Sequence, residues 1–274
     1  MKLFNLGISL MQRLRFAEKF ILVCLLFMVP LSLTSYYLLH DMNRDAAAME
    51  QRHVGLQYLA ATNPLLELIA QHRGVRNGIL HGDRALISKQ EQLDRDLRRA
   101  LIKADLANQQ WGAELEVEEQ WHILRQRWVA LWRTPVTSQA GTLAAISWQQ
   151  HSAIIADYLQ LIYRVSITST LFTTGEPVLR HLVEINFYQL PQLIESIGQL
   201  RGQGSGLLAG VVVTDEQQRH LLALRHEAQR ALHDLVRQWR FAAEDNPSLI
   251  DKQLRMSREL EGAVSRYLQL IRQQ

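Results

Sequence analysis

Residues Phe20–Leu39 read FILVCLLFMVPLSLTSYYLL, twenty positions without a charged side chain. Coiled as a helix at about 1.5 Å per residue, the run is about 30 Å long, the thickness of a bilayer's hydrocarbon core. A surface helix of a globular domain keeps a polar face, and this run has none. Lys19 and His40 bracket it, and Tyr36 and Tyr37 stand where an aromatic belt would lie. Pro30 is an interruption that membrane helices tolerate. The run therefore predicts a transmembrane helix over residues 20–40, with 1–19 on one side and 41–274 on the other.

The flanks set the direction. Lys2, Arg13, Arg15 and Lys19 precede the run, opposed only by Glu18, whereas the far side opens with the mixed set Asp41, Arg44, Asp45, Glu50 and Arg52. The positive-inside rule places the N-terminus in the cytoplasm and residues 41–274 outside, in the periplasm if this is a bacterial inner membrane. A cleaved signal peptide is the competing reading. The run is longer than a usual signal core, however, and no small-x-small site follows it directly.

The formal net charge of +3 equals the excess of that N-terminal segment, so the rest of the chain is formally neutral despite a pI near 9.1. A neutral domain has no net field to attract a phosphate backbone, and nucleic acid is not an expected partner. The one cysteine, Cys24, lies inside the apolar run, which excludes an intrachain disulfide and a thiolate metal site.

Glycine and proline are scarce, at 14 and 6 copies, and good helix formers abound. The fold class is all-α. Breakers and caps predict helices over about 42–80, 84–110, 113–133 and 142–171, then 178–209, 215–244 and 248–272. Thr214-x-x-Gln217 is a capping-box pattern before the sixth of these. Trp121, Trp128 and Trp132 share one helix face. Leu221, Leu224, Ala228, Leu232, Leu235 and Trp239 keep a 3–4 rhythm, as do Ile250, Leu254, Leu260, Val264, Tyr267 and Ile271. Stripes of this kind pack in up-down bundles.

The exported part contains a repeat. Leu65–Gly82 (LLELIAQHRGVRNGILHG) aligns without gaps on Leu193–Gly210 (LIESIGQLRGQGSGLLAG). Glu67 matches Glu195, Gln71 matches Gln199, and Arg73-Gly74 matches Arg201-Gly202. Gly78 matches Gly206, and Pro64 and Pro191 stand upstream. A duplicated module predicts two consecutive bundles, 41–172 and 173–274. The first has four expected helices and the second three, so the second bundle is expected to lack its last helix, as in a fragment or truncated reading frame of a longer receptor, or to borrow a helix from a partner.

Arg73 and Arg201 are the candidate ligand-binding residues. A guanidinium is always charged and offers a planar fork of donors to an oxyanion. Gly74, Gly78, Gly202 and Gly206 would let a helix or a ligand approach closely, since glycine in a helix costs about 0.5–1 kcal/mol relative to alanine. Pairing of Arg73 with Glu67, Asp83 or a carboxylate of another helix is the structural alternative. The ten histidines include His220, His226 and His233, whose spacing is not that of a metal site. No nucleophile elbow, P-loop or Cys–His pair is present, so neither an enzyme, a cofactor nor a metal centre is expected.

The basic start RLRFAEKF and the segments QHRGVRNGILHGD and LPQLIESIGQLRGQGSGLLAG together resemble the N-terminal half of bacterial methyl-accepting chemotaxis proteins with a long helical periplasmic sensor. The Arg-Gly helices also resemble the nitrate- and nitrite-sensing domain family, whose motif is a helical Glu-Arg-Gly-x-Ser. Here the residue before each arginine is His72 or Leu200, and the serine position holds Arg76 or Gly204. The resemblance implies an extracytoplasmic ligand-sensing module of a transmembrane receptor. It further implies a homodimer, a small anion held by Arg73 and Arg201, and cytoplasmic signalling partners for any further C-terminal half. The alternative expectation is a structural or protein-interaction scaffold, or a truncated remnant, without a small-molecule ligand.

Overall fold

A computed structural model describes residues 15–133, 140–208, 215–245, 255 and 258–266, excepting the side chains of 133, 140–142, 204–208, 217 and 245. The first helix, α1 (Phe16–Thr62), carries the apolar run with its side chains exposed, and the Thr34 hydroxyl donates to the Pro30 carbonyl at 2.7 Å. The helical stretch Phe16–Leu80, of which α1 is the first part, is the one among the described residues that is long and apolar enough to cross a membrane. The chain divides into two units, residues 1–50 and 51–274.

In the second unit α1 ends at Thr62 because Pro64, which has no N–H and a fixed φ, starts the next helix. There follow α2 (Pro64–Leu80), α3 (Ile87–Trp111), α4 (Glu118–Arg133), α5 (Ala140–Thr168), α6 (Pro177–Glu184), α7 (Leu190–Leu208) and α8 (Asp215–Asp245). Residues 258–266 are also helical, and no strand occurs among the described residues.

The expected helix over 42–80 follows one helical path, in which Pro64 marks the change from α1 to α2 while Asn63 between them keeps φ −51°, ψ −37° and its N–H donates to Leu59 O at 2.7 Å. Its C-terminus was legible. Gly82 takes φ 101°, the Asp83 N–H donates to Gly78 O and the Gly82 N–H to Ile79 O, a glycine-dependent Schellman stop. The Asp83 carboxylate then accepts from the Ala85 N–H, capping the turn into α3. α3 ends at Trp111 with Gly112 as its C-cap, as expected, but the chain continues in turns to the left-handed Glu116 (φ 55°), with Val117 N–H donating to Gly112 O. α4 therefore starts at Glu118 rather than 113, with Glu118 and Glu119 in its first turn, where the helix dipole favours acid.

The expected helix over 178–209 is interrupted by a π-helical turn, Ile185–Gln189. Pro191 cannot donate to Phe187 O, and the extra residue of a π turn absorbs that lost bond. Thr214, 134–139 and 246–254 lie outside the described residues, as does most of the last expected helix.

Two apolar clusters hold this unit. One gathers Tyr58, Leu59, Leu65, Ile69, Leu97, Leu101, Trp121, Trp128, Tyr158 and Ile162 among others, with Trp132 packed against it. The other contains Ile185, Leu193, Leu200, Leu221, Leu224, Ala228, Leu232 and Leu235. The π turn serves both, since Phe187 packs on the first and Ile185 on the second.

Gly55 of α1 is required by proximity. A Cβ there would overlap the Cβ and Oγ of Ser169, next to Thr170, which itself holds a left-handed φ of 57°. Gly78 meets only the movable end of Leu86 at 2.5 Å. Gly55→Ala should destabilise the chain by about 1–3 kcal/mol through overpacking, whereas Gly78→Ala should stay within about 1 kcal/mol. Denaturant melts of the detergent-solubilised chain measure both.

Candidate functional site

The site is built on α2, whose residues 72, 73 and 76 all face inward. Arg73, only 2% exposed, lies at the meeting of α2, α5 and α7. Its Nη1 and Nη2 donate to Glu195 Oε1 and Oε2 at 2.6 and 3.0 Å, a bidentate fork. Nη1 also donates to Ser152 Oγ at 2.9 Å, and the guanidinium sits 4.5 Å from the centroid of the Trp148 ring. Gln199 donates to Glu195 Oε1 at 2.7 Å, holding the carboxylate from its own helix.

Arg201, the repeat partner of Arg73, is exposed. The two candidate arginines therefore do not occupy equivalent places. The alignment survives locally, since Gln71 donates to Glu67 at 2.9 Å just as Gln199 does to Glu195, but Glu67 is exposed. Of the alternatives left by the sequence, pairing with another helix's carboxylate is the one seen for Arg73. Glu195 occupies the donor fork that the family resemblance reserves for an anion.

The glycines matter unequally. A Cβ on Gly202 would run into the Trp148 ring, so this glycine lets α7 lie against the aromatic that covers Arg73. A Cβ on Gly74 would make only ordinary contact with Arg201 Nη2, at 3.9 Å. Gly78 belongs to the turn contact with Leu86, and Gly206 lies in α7. Gly198 went unnoticed in the sequence, yet a Cβ there would lie 3.0 Å from Arg73 Nη2. Its signal was the spacing of four through 198, 202 and 206.

Beside the ion pair lies a row of buried polar groups. His72 and His151 are fully buried, with Nδ1 of His72 and Nε2 of His151 2.8 Å apart. His151 Nδ1 donates to the Ser147 carbonyl at 2.6 Å, and His72 Nε2 stands 3.2 Å from Asp94 Oδ1 on α3. Trp128 of α4 meets both imidazoles edge-on, at 5.3 and 6.1 Å. Burial, helped by the His72 charge, drives His151 down to about 3, against the pull of the Ser147 carbonyl. Burial also lowers Arg76, opposed by the attraction of Asp94. Neither His151 nor Asp94 announced itself in the sequence, because residues on three helices meet only after packing. His220, His226 and His233 are exposed along α8.

A shallow groove of about 700 Å³ runs between α3 and α4, lined by Asp105, Trp121, His122 and Arg125 among others. Asp105 accepts there from Trp121 Nε1 at 2.9 Å and from Arg125 Nε at 3.2 Å. Among the described residues, no three His, Cys, Asp or Glu side chains converge as a metal ion would require. Comparison with protein families, with curated proteins and with solved structures returns no match.

A buried ion pair loses most when one partner is removed, because the other charge stays desolvated. Glu195→Ala should cost about 3–5 kcal/mol, and the exposed Arg201→Ala should change stability by less than about 0.5 kcal/mol. Urea titration of the two variants separates these outcomes.

Proposed function

We propose that the chain is the ligand-sensing input part of a transmembrane receptor, with residues 41–274 outside the cytoplasm of a bacterial inner membrane. The observation that carries this reading is α1. One helix holds both the exposed apolar run and the buried residues Val54, Tyr58, Leu59 and Thr62 of the helical unit. A change of packing around Tyr58 and Leu59 has a covalent route to the lipid, and shifts of about 1–2 Å suffice in signalling helices.

On this reading the two apolar clusters are the cores of two consecutive bundles, and the Arg73–Glu195 pair joins the duplicated segments. A small anion drawn to Arg201 and Arg73 would compete with Glu195 and loosen α2 from α7. A coupling of about 1–3 kcal/mol is typical of such linkage. The receptor works as a homodimer and passes its signal to cytoplasmic partners through any further C-terminal part.

A scaffold reading has one observation in its favour. Arg73 is already engaged by Glu195, Ser152 and Trp148, so its order in the fold needs no ligand.

Thermal melting of the full chain in detergent, with nitrate, nitrite and a panel of organic anions, decides between the two. The sensor reading expects one anion to stabilise by about 2.7 kcal/mol at a hundredfold excess over its Kd, and Arg73→Ala and Arg201→Ala to abolish that gain. No shift with any anion, or a shift that survives both substitutions, leaves the scaffold. Location is checked in the same chain by labelling Gln109→Cys, in a Cys24→Ser background, with a membrane-impermeant thiol reagent on intact cells. Labelling is expected, and protection until lysis would place the bundle inside.

A further inference from the structure

The groove of about 700 Å³ between α3 and α4 holds charged groups whose bonding capacity the fold does not use up. Arg125 meets Asp105 through its Nε alone, 3.2 and 3.3 Å from the two carboxylate oxygens. Asp105 also accepts from the Trp121 indole at 2.9 Å, so the protein fixes the plane of the guanidinium. The two Nη groups have no acceptor among the described residues, and the side chain is 30% exposed. A guanidinium held by Nε keeps its terminal fork free for a carboxylate. Glu118 lines the groove seven residues earlier on α4 and pairs with no cation among the described residues. Seven residues are about 10.5 Å along a helix, which leaves room for one small molecule between the two side chains. Asp105 and Arg125 cancel, so Glu118 gives the groove a negative charge that disfavours a simple anion. A ligand that meets both ends carries an ammonium and a carboxylate. One turn beyond Arg125, Val129 and Ala130 line the groove with apolar side chains. The wall formed by α4 therefore runs from acidic to basic to apolar.

We propose that this groove binds a small zwitterion, an α-amino acid with an aliphatic side chain, whose ammonium faces Glu118, whose carboxylate takes the Nη fork of Arg125 and whose side chain lies on Val129 and Ala130. The proposal holds whether or not Arg73 and Arg201 take an anion.

The same groove leads to α1. Asn108, only 6% exposed, lines it, and the Tyr58 hydroxyl of α1 donates to Asn108 Oδ1 at 3.4 Å. A Cβ on Gly112 would come within 2.5 Å of that oxygen, so the amide has little room to swing away. Burial first, then Tyr158 and Asp105, push the Tyr58 phenol up, so the charge of Asp105 is felt on α1. Asp105 of α3 thus ties α4 through Trp121 and Arg125 and also acts on Tyr58. A carboxylate on the Arg125 fork shares the guanidinium with Asp105. Occupancy of the groove therefore reaches Tyr58 by two routes, the field of Asp105 and the bond from Asn108.

Isothermal titration of the full chain in detergent with L-alanine, L-valine, L-leucine and L-isoleucine tests the site. At least one of the four is expected to bind, one molecule per chain. Arg125→Gln and Glu118→Gln should each weaken that binding by about tenfold or more, because each removes a hydrogen bond to a charged group. Both side chains reach solvent, and circular dichroism checks that the variants fold. The exposed Arg201→Ala should leave the affinity unchanged, which separates this groove from the anion site proposed above. Bound amino acid should slow amide exchange in residues 55–62 of α1 about tenfold, and Tyr58→Phe should remove that slowing while the affinity stays. Binding of none of the four overturns the proposal, as does an affinity that survives Arg125→Gln or Glu118→Gln or that falls with Arg201→Ala. Amide exchange in α1 that ignores the bound amino acid, or that slows equally in Tyr58→Phe, overturns the link to α1.

Discussion

The bidentate contact between Arg73 and Glu195 sets the terms for everything around it. Both charges have left water, and such a pair is tolerated only where geometry is good and remaining donors and acceptors are met. Three helices have to be held in register to achieve that. α2 brings the arginine, α7 the carboxylate with Gln199 behind it, and α5 both Ser152 and the ring of Trp148. The absence of side chains at Gly198 and Gly202 is part of the same arrangement, because a methyl at either place would meet Arg73 or Trp148. Substituting one member therefore changes the spacing available to the others.

This contact also exposes how far a duplicated sequence can diverge in use. The two Gln–Glu bonds repeat because they are local, four residues apart on one helix, and sequence alone dictates them. The ion pair does not repeat because it depends on what lies opposite. Arg73 faces α7 inside the fold, whereas Arg201 lies at the surface. The prolines diverge for a similar reason. Pro64 follows Asn63 without leaving helical dihedrals, while Pro191 is accommodated by a π turn that turns neighbouring side chains toward two different cores.

What the sequence made legible follows this division between local and assembled features. The apolar span, the helix stop at Gly82 and the shared face of Trp121 and Trp128 each follow from residues within one or two turns. Glu195 was visible as the copy of Glu67, but not as the partner of Arg73. His72, Asp94 and His151 come from three helices with no periodic relation, so neither spacing nor composition could join them. The start of α4 shows a subtler limit, because Gly112 caps α3 as its composition suggests, yet turns through the left-handed Glu116 delay the next helix to Glu118.

The position of these groups relative to α1 bears on any signalling role. A single residue, Asn63, separates α1 from α2, so a rotation of α2 has little slack before it acts on Tyr58 and Thr62. α1 is held a second time at the far end of α5. Gly55 lies against Ser169 there, and Arg52 donates to the carbonyl of Thr170 at 3.4 Å. Thr170 is β-branched and left-handed, a conformation that costs about 1–3 kcal/mol and persists only when its surroundings impose it. A shift of α5, which carries His151, Ser152 and Trp148, would therefore reach α1 through a strained corner as well as through Asn63. The polar core lies near the middle of α5 and the Thr170 corner just past its C-terminal end, so one helix leads from the Arg73 pair to the contact with α1.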